Sequence, residues 1–270
     1  MHTMTRWLAI GFLGLATGSL SACGGGSSSP GGLSGVTPPP PAPAPAPPSP
    51  GGIWRGTNPA TNLQLLGLVT ETGEYHFLQE DGVQYFGTVA VAANGAASGT
   101  FTGVVPFGFT FPDGSLTGTG TITSGTVTAR SRLQLSTSFW TSRGTTTTSA
   151  FTLNFDPLYN RPSSLATIAG NYRDPDTGAV INVNGNGVIF SQDPLSGCVI
   201  NGSVALINAS FNAYRIEYRF SGCRGADVAL NGTTARGLGT LDNTVSPERA
   251  VIGVVNETAG YSLIGAYPRT

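Results

Sequence analysis

The 270-residue chain has 39 Gly and 19 Pro, and only 10% of its residues are Asp, Glu, Lys or Arg, against about 25% in an average soluble domain. All 13 basic residues are Arg, and 14 acids leave a formal charge of −1. Phosphate backbones are held by clustered cations and long surface helices expose Lys and Glu, so the composition disfavours both a nucleic-acid partner and a helical body.

At the N-terminus, Arg6 precedes the apolar run Trp7 to Ala16, which small residues follow. The run is too short to cross roughly 30 Å of hydrocarbon and reads as a secretory signal peptide. It ends in Leu20-Ser21-Ala22-Cys23, which resembles the lipobox of bacterial lipoproteins. The resemblance implies cleavage after residue 22 and acylation of Cys23, with several chains giving a stable membrane anchor. Gly24 rather than Asp follows the cysteine, which in such lipoproteins implies outer-membrane localisation. The alternative is an ordinary cleaved leader with a chance cysteine.

Residues 23–51 have no core-forming pattern. Gly24 to Ser29 is a flexible coil, and ten of the 19 prolines lie between positions 30 and 50. The run from Pro38 to Pro50 predicts a polyproline II spacer of roughly 40 Å. A docking peptide for a partner domain would carry basic or aromatic flanks, and these are absent from the tract.

From Ile53 onward, short alternating segments are punctuated by Gly, Asn and Asp every 8–12 residues, the pattern of an all-β sandwich or barrel. Thr, of which there are 33, suits the solvent face of a pleated sheet without adding charge. Three markers repeat in order. Gly52-Ile53-Trp54 is echoed by Gly170-Asn171-Tyr172, Gly87 to Val91 by Gly202 to Leu206, and Leu116 to Thr119 by Leu230 to Thr233. The expectation is two related antiparallel β-barrel or sandwich domains in tandem, 52–160 and 161–270. The Gly-x-Trp at the first strand resembles lipocalin-like barrels and the barrel lobes of transferrin-binding-type surface lipoproteins. The resemblance implies that Trp54, with Tyr172 as its second copy, packs at a closed barrel end. The family's late-strand Arg has no assigned counterpart.

With Cys23 reserved for lipid, Cys198 and Cys223 remain as a pair in an oxidising compartment. Strands over Cys198–Ile207 and Tyr214–Cys223 in a straight register, with Ile207 opposite Tyr214, place the two cysteines face to face. That register leaves Val204 and Leu206 on the face of Arg215 and Arg219, which a bulge or burial against the other half would resolve.

Chemistry-bearing residues are few. His76 shares a strand face with Glu74, and a Ser-His-acid site would have to use it; the plainer reading is a strand histidine. Asp174 to Gly178 has the oxygen spacing of half a calcium loop, but Gly185 stands where the closing acid belongs, so a turn is expected. Neither catalytic nor metal-ligating residues are assigned, and cofactors are not expected. The recognition candidates are apolar: Phe107, Phe109 and Phe111 on one face of a Pro-bounded edge strand, and Trp140 beside Phe139. The expected role is a non-enzymatic, outer-membrane-anchored binding module for an apolar ligand or an envelope protein. The alternatives are a passive structural or assembly lipoprotein and, remotely, a hydrolase.

Overall fold

Alternation along the strands sets the architecture. In the segment Arg132–Thr141, Leu133, Leu135, Thr137 and Thr141 are buried while Arg132, Gln134 and Trp140 are exposed, the period-two signature of a sheet with one wet face. The computed structural model describes residues 46–258 and 260–270. The leader, Cys23 and most of the tether lie outside the described residues.

Eight antiparallel strands form a closed up-and-down barrel: β1 (Gly52–Thr57), β2 (Gln64–Val69), β3 (Glu74–Gln79), β4 (Gln84–Val91), β5 (Ala97–Val104), β6 (Thr117–Thr128), β7 (Arg132–Thr141) and β8 (Thr146–Asp156). Pairing of β8 with β1 closes the circuit, Phe155 opposite Trp54. A 3-10 turn (Pro157–Asn160) and the one-turn helix α1 (Leu165–Ile168) lead into eight further strands. These are β9 (Gly170–Arg173), β10 (Val180–Val183), β11 (Val188–Gln192), β12 (Val199–Leu206), β13 (Tyr214–Ser221), β14 (Thr234–Asp242), β15 (Arg249–Asn256) and β16 (Tyr261–Pro268). Their order is again sequential and antiparallel. A bridge between Tyr172 and Arg269, with Thr270 N–H donating to Asn171 O at 2.9 Å, brings the last strand back beside the first.

The three repeated markers fall on equivalent strands. Gly52 and Gly170 begin the first strand of each sheet, and Gly87 and Gly202 are each the fourth residue of the fourth strand. Each of those two glycines faces an aromatic on the fifth strand, Phe101 or Tyr218. A Cβ on either would lie 2.2 Å from a neighbouring strand's carbonyl oxygen. Leu116 and Leu230 both precede the sixth strand.

One end of each sheet is sealed by the segment that enters it. Trp54 Nε1 donates to Pro50 O at 3.0 Å and the Tyr172 hydroxyl to Ile168 O at 2.7 Å, in each case four residues upstream. Both rings are fully buried. Arg269 lies over the Tyr172 ring at 5.2 Å and donates to Ala169 O and Thr167 O. In the first barrel Arg130 donates to Gly51 O at 2.7 Å and to Glu71. The Ser49 hydroxyl also donates to Glu71, and Pro48 lies beside Gly95. The expected tether boundary at residue 51 is therefore corrected: Pro48 to Gly51 is docked across the barrel end. Satisfying the indole N–H and the Gly51 carbonyl favours that docking.

The barrels pack side by side. Ile53, Leu66 and Leu68 on the outer wall of β1 and β2 meet Ala213, Leu238 and Phe211. Leu78 of β3 fills the space where a Cβ of Gly253 would stand. Arg215 of β13 forms a two-bond pair with Glu74, Gln84 Nε2 donates to Val254 O at 3.2 Å, and Ser262 Oγ donates to Gly82 O at 2.6 Å.

The Cys198–Cys223 disulfide is present, but the hairpin register differs by one residue from the straight one. Leu206 faces Tyr214 and Val204 faces Ile216. The one-residue slip turns Val204 inward, since side chains alternate faces, and removes the conflict without a bulge. The loop Ile207 to Ala213 is one residue longer than expected, because Ile207 leaves the strand; within that loop the Asn212 side chain bonds Leu158 O, Leu241 O and Leu241 N.

Candidate functional site

The two interiors are filled differently. In the first barrel, inward glycines stand opposite or beside inward aromatics on the neighbouring strand: Gly67 faces Phe77, and Gly87 and Gly120 flank Phe101. A Cβ at Gly67 would lie 2.1 Å from the Phe77 ring, one at Gly118 2.4 Å from Phe139, and one at Gly120 2.2 Å from Phe101. The rings thus lie flat against the wall in space that side chains would otherwise occupy. Phe101 and Phe139 are parallel, with centroids 5.9 Å apart, and Tyr85 stands edge-on to both. Aromatics held against the wall leave the axis of the barrel empty.

The result is a cavity of about 310 Å³, at the lower end of the range for small-molecule sites. Leu65, Phe77, Ile122, Leu135 and Leu153 line its depth, and Thr137 and Ser149 supply two hydroxyls on one wall. Trp54 seals one end. The other end reaches the exposed rim at Thr61, Pro112 and Thr145, where the β1–β2, β5–β6 and β7–β8 connections meet.

In the second sheet the inward positions carry Ile181, Val183, Ile189, Val204, Ile216, Tyr218 and Ile252. Branched side chains reach across the shorter strands, and the void among them is only about 10 Å³. Ile168 closes one end and Leu230, in the β13–β14 connection, packs into the same core. The disulfide ties that connection to the one between β11 and β12.

The rim of the cavity is held by Asp113. Its carboxylate accepts from Ser115 N–H at 3.0 Å, from the Ser115 hydroxyl at 2.5 Å and from the Thr141 hydroxyl. The bonds from Ser115, then Thr141, hold the carboxyl well below the usual carboxylate range. Asp113 is thus a latch between the β5–β6 connection and the end of β7. Burial, reinforced by the charge of Asp81, pushes the Tyr85 hydroxyl up to about 12, so this wall is neutral at physiological pH.

The expected Phe strand does not exist. Pro106 to Pro112 lies in the β5–β6 connection, because Pro106 and Gly108 (φ +80°) form a turn, with Phe109 N–H donating to Pro106 O, and a second turn follows at Gly114. A closed barrel also has no edge to offer. The three rings diverge. Phe107 stands edge-on to Tyr261 of the second sheet at 5.2 Å, Phe109 is 49% exposed, and Phe111 turns into the cavity rim against Phe139 at 5.4 Å. Trp140 is 39% exposed on the outer wall of β7, between Thr119 and Thr146, while Phe139 points into the lumen. Of the four candidates, the structure brings only Phe111 to the cavity.

His76 lies buried between the barrels, its Nδ1 2.5 Å from Gln84 Oε1 and its ring stacked on Phe86. Glu74 is engaged by Arg215, so this pair is part of the barrel contact. Asp174 caps its own turn, accepting from Asp176 N–H and Thr177 N–H. No group of three or more His, Cys, Asp or Glu that could hold a metal ion occurs among the described residues. Sequence reasoning singled out Phe139 only as the neighbour of Trp140 and missed the lumen residues Phe77, Tyr85, Phe101 and Phe151. The available signal was inward glycine recurring beside aromatic residues from β2 to β7.

No family model, no curated protein and no solved structure matches the chain. The functional reading rests on the geometry.

Proposed function

We propose that the protein is a lipid-anchored, non-enzymatic binding module of the cell envelope whose N-terminal barrel holds an apolar small molecule. The observation that carries the reading is the hollow first lumen beside a filled second one on the same strand order. A void of this size lined by Leu, Ile, Phe and Tyr is costly to keep unless something occupies it. On this reading the filled, disulfide-tied second sheet is a support.

The lipobox-like Leu20 to Cys23 supports anchoring at the outer membrane, and the lipocalin-like Gly-x-Trp accords with a ligand-holding barrel. The chain enters the first barrel at its sealed end, through Pro48 to Gly51, so the tether leaves the mouth unobstructed. A purely structural or assembly role is the second reading, favoured by the extensive contact between the two barrels.

The test is a titration of the mature chain with the neutral fluorophore N-phenyl-1-naphthylamine. Saturable 1:1 binding is expected, lost in Thr137→Phe, which fills the lumen from its wall. Absence of saturable binding to the unaltered chain would remove the ligand-binding reading and leave the structural one.

A further inference from the structure

We infer that the N-terminal lumen selects uncharged, ring-bearing molecules and excludes amphiphiles with an anionic head, such as fatty acids; this deepens, and rests on, the ligand-binding reading. Among the described lining residues there is one carboxylate, Asp113, and no Lys, Arg or His. An anionic head seated inside would therefore lose its water without gaining a cation, and burying an unpaired charge is among the largest penalties in a protein interior.

At the mouth the same head would meet the Asp113 carboxylate, whose oxygens already accept from Ser115 and Thr141. Asp113 is therefore poorly placed to take a proton from the ligand or to donate to it. Arg143 lies against Gly114 and is exposed on the β7–β8 hairpin. An exposed cation forms only weak ion pairs and offsets little of the cost of a charge buried inside the lumen.

The walls favour rings over chains. Phe101 and Phe139 present parallel faces held in place by the glycines behind them, and Tyr85 stands edge-on to both. A planar ligand gains offset or edge-to-face contacts with such surfaces beyond the area it buries. Thr137 and Ser149 add hydroxyls that satisfy one neutral polar atom, such as a ring hydroxyl or carbonyl. Thr137 Oγ1 itself makes only a long bond, 3.4 Å, to Ser149 O.

The test compares two fluorophores with one skeleton: neutral N-phenyl-1-naphthylamine and its sulfonated counterpart 8-anilino-1-naphthalenesulfonate. The mature chain is titrated with each, alongside Ser149→Phe, Asp113→Asn and Arg143→Ala, with circular dichroism checking that each variant is folded. The expected result is binding of the neutral probe, lost in Ser149→Phe, with the sulfonate at least fivefold weaker and the gap narrowed in Asp113→Asn. Sulfonate binding within fivefold of the neutral probe, or tighter, overturns the charge rule while leaving the cavity reading in place. Loss of such sulfonate binding in Arg143→Ala would assign the error to that cation. Neutral-probe binding that persists in folded Ser149→Phe places the probe elsewhere and overturns the inference. Failure of both probes to bind overturns the ligand-binding reading itself.

Discussion

At the residue scale, glycine does two different jobs, making room for a ring or for a neighbouring backbone. Gly67 makes room for the Phe77 ring, whose outer edge faces an empty lumen, whereas a Cβ at Gly237 would lie 1.9 Å from the Gly253 carbonyl oxygen. A ring can swing into the void and a backbone cannot. Gly67→Ala should therefore cost less than about 1 kcal/mol but weaken probe binding by crowding the lumen. Gly237→Ala should cost about 1–3 kcal/mol by overpacking and leave the lumen unchanged. Urea unfolding and probe titration of the two variants check both statements. The strand-one aromatics offer a parallel case. Tyr172→Phe removes a buried hydroxyl that donates to Ile168 O and accepts from Arg269, and should cost about 1–2 kcal/mol.

At the element scale, the outer wall of β4 to β8 explains how so few charges suffice. Thr88, Thr100, Thr121, Ser138 and Thr148 are paired in one row across five strands, hydrating the surface through hydroxyls. A closed barrel has no edge that charges must protect. The inter-barrel contact is the pH-sensitive element. Burial lowers the pKa of His76, against the raising effects of the Gln84 hydrogen bond and Glu74 and with a smaller lowering effect from Arg215. The unfolded chain takes up a proton near pH 6.5 and the folded one does not until lower pH. Stability should therefore fall by up to ~1.4 kcal/mol per pH unit as the pH drops below about 6.5. His76→Gln should flatten that slope in denaturation series between pH 7 and 5. The disulfide belongs to this scale as well: closing a span of 25 residues contributes about 3 kcal/mol in the chain-entropy model. Cys198→Ser/Cys223→Ser should lower the denaturation midpoint of the second sheet while probe binding in the first barrel persists.

How much was legible follows from where each signal sits along the chain. Strand alternation, the repeated markers and the cysteine pair are local or pairwise, and they gave two antiparallel β-domains in tandem with a disulfide in the second; the count of eight strands in each came from the structure. A straight count of the hairpin register was off by one because Ile207 leaves the strand, in a loop whose Asn212 bonds Leu158 and Leu241, 54 and 29 residues away. The Phe107 to Phe111 run alternates like a strand, and only the turn at Gly108 and the latch at Asp113 make it a connection. The cavity was illegible because it depends on which glycine faces which ring across the barrel, a property of register and shear rather than of any one segment.

At the scale of the whole molecule, a sealed end, a hollow barrel and a filled second sheet pack into one body. Removing Pro48 to Gly51, so that the chain begins at Gly52, should destabilise the first barrel by about 2 kcal/mol. It frees the Trp54 indole N–H and removes the Gly51 carbonyl that Arg130 bonds. Thermal unfolding of the two lengths of chain, 46–270 and 52–270, checks this. The central claim is that the first lumen holds an apolar ligand, and crystallography with an iodinated, uncharged aromatic tests it most directly. The account predicts one anomalous peak per chain inside the first barrel, bounded by Phe77, Phe101 and Phe139. Peaks confined to the outer walls or to the groove between the barrels, with the lumen empty at saturating ligand, would contradict it.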